Sequence, residues 1–153
     1  MLLRKWGLSL ILFFATPVAG EERLVDPSAT DSARGTAMLM LRHLADGNIE
    51  EAAALSNAPG RRFEVLRHYR DAVGEDEFKR VFGRYFAPEN RLIAEVALGR
   101  HRLMIWDLGE AGHRLAGQYY VEVEGKFLMD DVPSAQRSQL RRVLEAYRSG
   151  KAK

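Results

Sequence analysis

Asn90-Arg-Leu-Ile-Ala-Glu-Val-Ala-Leu98, Gly99-Arg100, His101-Arg-Leu-Met-Ile-Trp-Asp-Leu108, Gly109-Glu-Ala-Gly112, His113-Arg-Leu-Ala-Gly-Gln-Tyr-Tyr-Val-Glu-Val123, Glu124-Gly125 and Lys126-Phe-Leu-Met-Asp-Asp131 follow one another without a gap. Four runs rich in β-branched, aromatic and aliphatic residues are separated by three Gly-marked breaks, each short enough for a hairpin. The pattern predicts an antiparallel meander of about four strands over residues 90–131. A sheet of this size needs a cover on at least one face, and the sixty residues before it read as that cover.

Working towards the N-terminus, Glu75-Asp76-Glu77 places three acids in the first turn of a helix, where the helix dipole favours them. Phe78, Val81, Phe82 and Tyr85 form its apolar stripe, and Pro88 lies beyond its end. A helix over 61–73, ended by Gly74, is expected to turn Val65, Leu66, Tyr69 and Val73 inward. Asn48 and Glu51 have the spacing of a capping box for a short helix before it, which Asn57-Ala-Pro-Gly60 ends. Thr30, Asp31 and Ser32 are N-cap candidates for a first helix running to about Ala45, with Ala37, Met38, Leu41, Leu44 and Ala45 on one face. On the other side of the sheet, Pro133 and Ser134 open a closing helix with Leu140, Val143, Leu144 and Tyr147 on one face. Arg137, Arg141, Arg142 and Arg148 form its basic, solvent-directed side.

The fold class is therefore α+β: N-terminal helices packed on a curved antiparallel sheet, then a C-terminal helix. Residues 31–149 make one domain, 21–30 a flexible lead-in and 150–153 a disordered tail. Residues 1–20 read as an export signal. Arg4 and Lys5 make its positive end, Leu8 to Ala15 its apolar segment, and Val18-Ala19-Gly20 a cleavage site before Glu21. The apolar segment is shorter than the ~20 residues of a spanning helix, so stable membrane insertion is not expected. The chain is expected in a bacterial periplasm or outside the cell.

The whole chain carries 23 basic and 21 acidic residues. Both basic residues of the signal leave with it, so the exported part has no net charge and nucleic acid is not an expected partner. There is no cysteine, which excludes disulfides, thiol catalysis and thiolate metal sites.

Two stretches carry a family resemblance. Leu41-Arg-His-Leu-Ala-Asp-Gly-Asn-Ile-Glu-Glu-Ala-Ala-Ala-Leu55 resembles the opening helix, small turn and short helix of the nuclear-transport-factor-2-like (SnoaL-type) superfamily. Tyr119-Tyr-Val-Glu-Val-Glu-Gly-Lys-Phe-Leu-Met-Asp-Asp131 resembles its late strand pair, with Phe127 where Trp is commoner. The resemblance implies a cone-shaped α+β fold. It also implies either a ligand-holding protein or an enzyme that uses a pocket Asp with Tyr or His, and it supplies no catalytic assignment here.

The residues themselves narrow this little. His101 and His113 share a His-Arg-Leu tripeptide, but a turn at 109–112 would place them ~20 Å apart, too far to share a metal. His43 and His68 have no partner at ligand spacing, so no metal or cofactor is expected. Asp107, beside Trp106 in an apolar strand, is the weak catalytic candidate: a buried acid could gain a raised pKa and act as a base. Asp130-Asp131 read as caps of the closing helix, with weak cation binding as the alternative. The same turn pairs His113 with Leu108. It then puts Met104, Trp106 and Leu108 on one face with Leu115, Gly117, Tyr119 and Val121. Leu103, Ile105, Ala116, Tyr120, Phe127 and Met129 lie on the other. Both faces are apolar and both need a cover: helices, a homodimer partner or an envelope protein. Met104, Trp106, Tyr119 and Tyr120 are the expected ligand-binding residues of a small apolar or aromatic ligand. A non-enzymatic binding protein is the favoured expectation, and an acid–base isomerase, dehydratase or hydrolase the alternative.

Overall fold

A computed structural model describes residues 28–87, 90–109 and 115–151. The expected export signal at 1–20, nearly all of the expected lead-in, Pro88 and His113 fall outside the described residues. A 3-10 turn at Ala29–Asp31 leads into α1 (Ala33–Ala45), α2 (Ile49–Ala54), α3 (Pro59–Val73) and α4 (Glu75–Gly83). A second 3-10 turn, Arg84–Phe86, precedes the strands β1 (Arg91–Leu98), β2 (His101–Asp107), β3 (Leu115–Val123) and β4 (Lys126–Met129), and α5 (Ala135–Arg148) closes the chain. The strands form one antiparallel sheet in the order β1-β2-β3-β4. The expected α+β order of helices, four-stranded sheet and helix is the one observed.

Local chemistry accounts for most element ends. Ser32 caps α1 by accepting from the Gly35 N–H at 2.9 Å, and Ser134 caps α5 by accepting from the Arg137 N–H at 3.0 Å, each satisfying one of the free donors of a first turn. Asp130 and Asp131 therefore do not cap α5, contrary to expectation. Nor does Asn48 form a capping box, because its side chain makes no cap bond to α2. Pro59 starts α3 two residues earlier than the periodicity suggests, its fixed φ suiting the first helical position. The β3–β4 hairpin turns through Glu124 (φ 51°) and Gly125 (φ 79°), the two positive φ values of a tight I′ connection.

Helices α1–α4 cover one sheet face. Ala37, Met40, Leu41 and Leu44 of α1, Leu66 of α3 and Phe78 of α4 pack against Met104, Trp106, Tyr120, Phe127 and Met129. On the other face Leu140 and Leu144 of α5 pack on Leu103 and Ile105. Full burial of each leucine contributes about 2 kcal/mol, which seats α5 on the sheet. Two expectations change. The β2–β3 register pairs Leu103 with Tyr119, Met104 with Gln118 and Trp106 with Ala116, one residue from that expected. Met104 and Trp106 thus share their face with Tyr120, while Tyr119 stands on the α5 side; a one-residue slip exchanges faces. Along α3 only Leu66 is buried. Val65 and Tyr69 are 52% and 37% exposed, because α3 is a peripheral helix with one row of residues inward.

Candidate functional site

Strand β4 has four residues; it pairs with Tyr120–Val123 of β3 on one side and, through Met129, bridges Ser56 on the other. The Tyr119 carbonyl still accepts the Asp130 N–H at 2.8 Å, but the Gly117–Gln118 part of β3 extends beyond its neighbour, and the space beside it is not filled by a strand. A cavity of about 210 Å³ lies there, lined by Met40 and Leu44 of α1, Arg62 and Leu66 of α3, Phe82 of α4, Gly117, Gln118 and Tyr119 of β3, Met129, Asp130 and Asp131, and Arg137 of α5. A recess of about 180 Å³ shares Arg62, Asp131 and Arg137 with it and adds Arg61 and Val65.

The polar lining is held in place by a network that ties the α2–α3 connector to the end of the sheet. The Met129 N–H donates to the Leu55 carbonyl at 2.7 Å, and the Asn57 N–H to the Met129 carbonyl at 3.0 Å. Asn57 then donates from Nδ2 to Asp130 Oδ1 at 3.0 Å and accepts the Asp131 N–H at 2.8 Å. His101 Nδ1 lies 3.1 Å from Asp130 Oδ2. Asp131 accepts from Ser56 Oγ and from Arg62, whose Nε reaches Oδ2 at 3.0 Å and whose Nη2 pairs with Oδ1. Both carboxylates are buried. Buried carboxylates persist when their oxygens are paired and hydrogen-bonded.

Gln118 Oε1 accepts from Trp106 Nε1 at 3.0 Å and from the Tyr120 hydroxyl at 3.3 Å. Burial pushes the Tyr120 phenol far above its ordinary pKa, and burial likewise raises that of Tyr85, whose ring meets Trp106 edge-on at 5.7 Å. Both therefore stay neutral donors.

Compared with family models, curated proteins and solved structures, the chain matches none.

The expected ligand-binding residues separate. Tyr119 lines the cavity, with the Arg137 guanidinium 5.6 Å over its ring. Met104, Trp106 and Tyr120 are buried in the core and stand outside the lining, although Trp106 and Tyr120 hold Gln118 in position. Asp107 is also outside it; its Oδ1 accepts the Gly109 N–H at 3.0 Å as a turn bond. Among the described residues no three His, Asp or Glu side chains converge as a metal-ligating group, and no helix is long and apolar enough to cross a membrane. Arg62, Gln118 and Arg137 were not singled out from sequence as site residues. Their one sequence signal was the basic side of α5, read there as solvated.

Proposed function

We propose that this chain is an exported binding protein that holds a small ligand in the cavity beside the free end of β3. The observation that carries the reading is the lining. Met40, Leu44, Leu66, Phe82 and Met129 supply an apolar wall, and Gln118, Arg62, Asp130 and Asp131 supply polar groups already fixed by other partners. An apolar wall with a few positioned polar groups is the general form of a small-molecule site. At about 210 Å³ the cavity is below the ~300–1,000 Å³ of drug-sized sites, so the ligand is small. The likeness of residues 41–55 and 119–131 to the cone-shaped superfamily supports the same reading.

The acid–base alternative draws less support. Asp107 is outside the lining, and the carboxylates that do line it are engaged by His101, Asn57, Ser56 and Arg62. A partner protein on a sheet face competes with α1–α4 on one side and α5 on the other.

Native mass spectrometry of the protein purified from its own source tests the proposal. A small bound molecule that leaves on denaturation is expected, with less of it in Phe82→Trp, where a larger ring stands at the cavity wall. Protein that comes off bare and takes up no small apolar compound on titration overturns the reading. Export is checked by N-terminal sequencing: a start at Glu21 is expected, and a start at Met1 would contradict it.

A further inference from the structure

We infer that the ligand is an organic monoanion, a small carboxylate with an apolar body, and that Arg137 anchors its charge; this rests on the cavity being a ligand site.

Three guanidinium groups, Arg61, Arg62 and Arg137, stand around the cavity and its recess against two carboxylates, Asp130 and Asp131. The excess is one positive charge. The carboxylates are already engaged, their oxygens accepting from Ser56, Arg62, Asn57 and His101, and neither makes an ion pair with Arg137. Arg62 in turn spends its Nε and Nη2 on Asp131. It buttresses the site and has little left to offer a ligand.

Arg137 differs. Its Nε is shut off from solvent and has no hydrogen-bond acceptor among the described residues. Guanidinium keeps its charge at any physiological pH, so this donor cannot be silenced by losing a proton. A water-sized group does not reach that Nε, so a ligand in the cavity would meet the Nη groups of the fork, which make no hydrogen bond or ion pair within the described residues. The side chain is also held ready. Its backbone N–H is bound by Ser134 Oγ at 3.0 Å, and its guanidinium carbon lies 5.6 Å from the centre of the Tyr119 ring, a stacking that holds the planar group in place. Arg137 lines both the cavity and the recess, so an anion bound there would direct its apolar body towards Leu44, Leu66, Phe82 and Met129. A carboxylate matches the guanidinium fork and the single excess charge. A second negative charge would meet Asp130 and Asp131 without compensation.

Calorimetric titration of the purified chain with phenylacetate and hexanoate, against the neutral phenylacetamide and hexanamide, tests this. The acids are expected to bind about tenfold or more tightly than their amides, the usual effect of a hydrogen bond to a charged group. Arg137→Gln should weaken the acids more than the amides and so erase that preference, with circular dichroism confirming the fold. Arg137→Lys, which keeps the charge but loses the fork, should retain part of it and gives the same answer if the glutamine variant does not fold. Equal binding of acids and amides by the unaltered chain overturns the anion assignment while the cavity reading stands. An acid preference that survives in Arg137→Gln overturns the role of Arg137. Uptake of neither acid nor amide sinks the cavity reading, and this inference with it.

Discussion

Arg62 and Asp131 meet side-on, with Arg62 Nε donating to Oδ2 at 3.0 Å and Nη2 pairing with Oδ1, although they are 69 residues apart in the chain. The pair fastens the start of α3 to the segment leaving β4 and forms one wall of the cavity. Asp131 is buried while Arg62 keeps 26% side-chain exposure, so removing one partner is asymmetric. Arg62→Ala leaves a buried carboxylate with Ser56 as its remaining side-chain donor and should cost about 2 kcal/mol. Urea unfolding of Arg62→Ala, Asp131→Asn and the double variant checks this. The double variant should lose less than the sum of the singles; strict additivity would mean the pair is not coupled.

The capping pattern separates three positions with similar sequence signals. Ser32→Ala and Ser134→Ala should each cost about 1 kcal/mol, the usual value of a lost N-cap. Asn48→Ala should change stability by only a few tenths, because its side chain makes no bond to α2. Thermal unfolding of the three variants would contradict this if Asn48→Ala proved as damaging as the serine variants.

Gly35 lies within α1, where intrinsic helix propensity favours alanine by about 1 kcal/mol. A Cβ at this position would stand 1.9 Å from the Ala29 carbonyl oxygen. The neighbour is backbone, so the 3-10 turn at Ala29–Asp31 must move away. Gly35→Ala should therefore destabilise by about 1 kcal/mol net, the overpacking cost outweighing the propensity gain. A stabilised variant in chemical denaturation would show that the turn yields freely.

Alkaline pH should expose the two buried phenols. Tyr120 and Tyr85 have pKa values raised in the folded state by burial. The stability they contribute is complete below the unfolded-state pKa of about 10 and is lost as pH rises beyond it, since the unfolded chain releases those protons first. For Tyr120, whose pKa burial raises far above its ordinary value, the loss should approach about 1.4 kcal/mol per pH unit. Urea midpoints measured across this range should fall less steeply in Tyr85→Phe, and phenolate absorbance of the native protein should lag behind that of the unfolded chain. Identical phenolate titration of native and unfolded protein would refute it.

Much of this architecture was legible in the chain itself. Alternation, turn glycines and cap serines act over a few residues, so the four strands, the Glu124-Gly125 turn and the starts of α1 and α5 follow from the residues beside them. Three matters needed the tertiary structure. The β2–β3 register depends on a turn geometry that composition does not specify, and one residue decided that Tyr120 joins Met104 and Trp106 while Tyr119 faces α5. The inward row of α3 depends on what the helix packs against, which left Val65 and Tyr69 exposed despite their helical spacing. The site depends on contacts between distant segments: Arg62, Gln118, Asp131 and Arg137 come from α3, β3, the segment after β4, and α5. Local periodicity is set by backbone geometry within a few residues. Burial and pairing of charges are set by which segments the folded core brings together, and that is where this chain's cavity was decided.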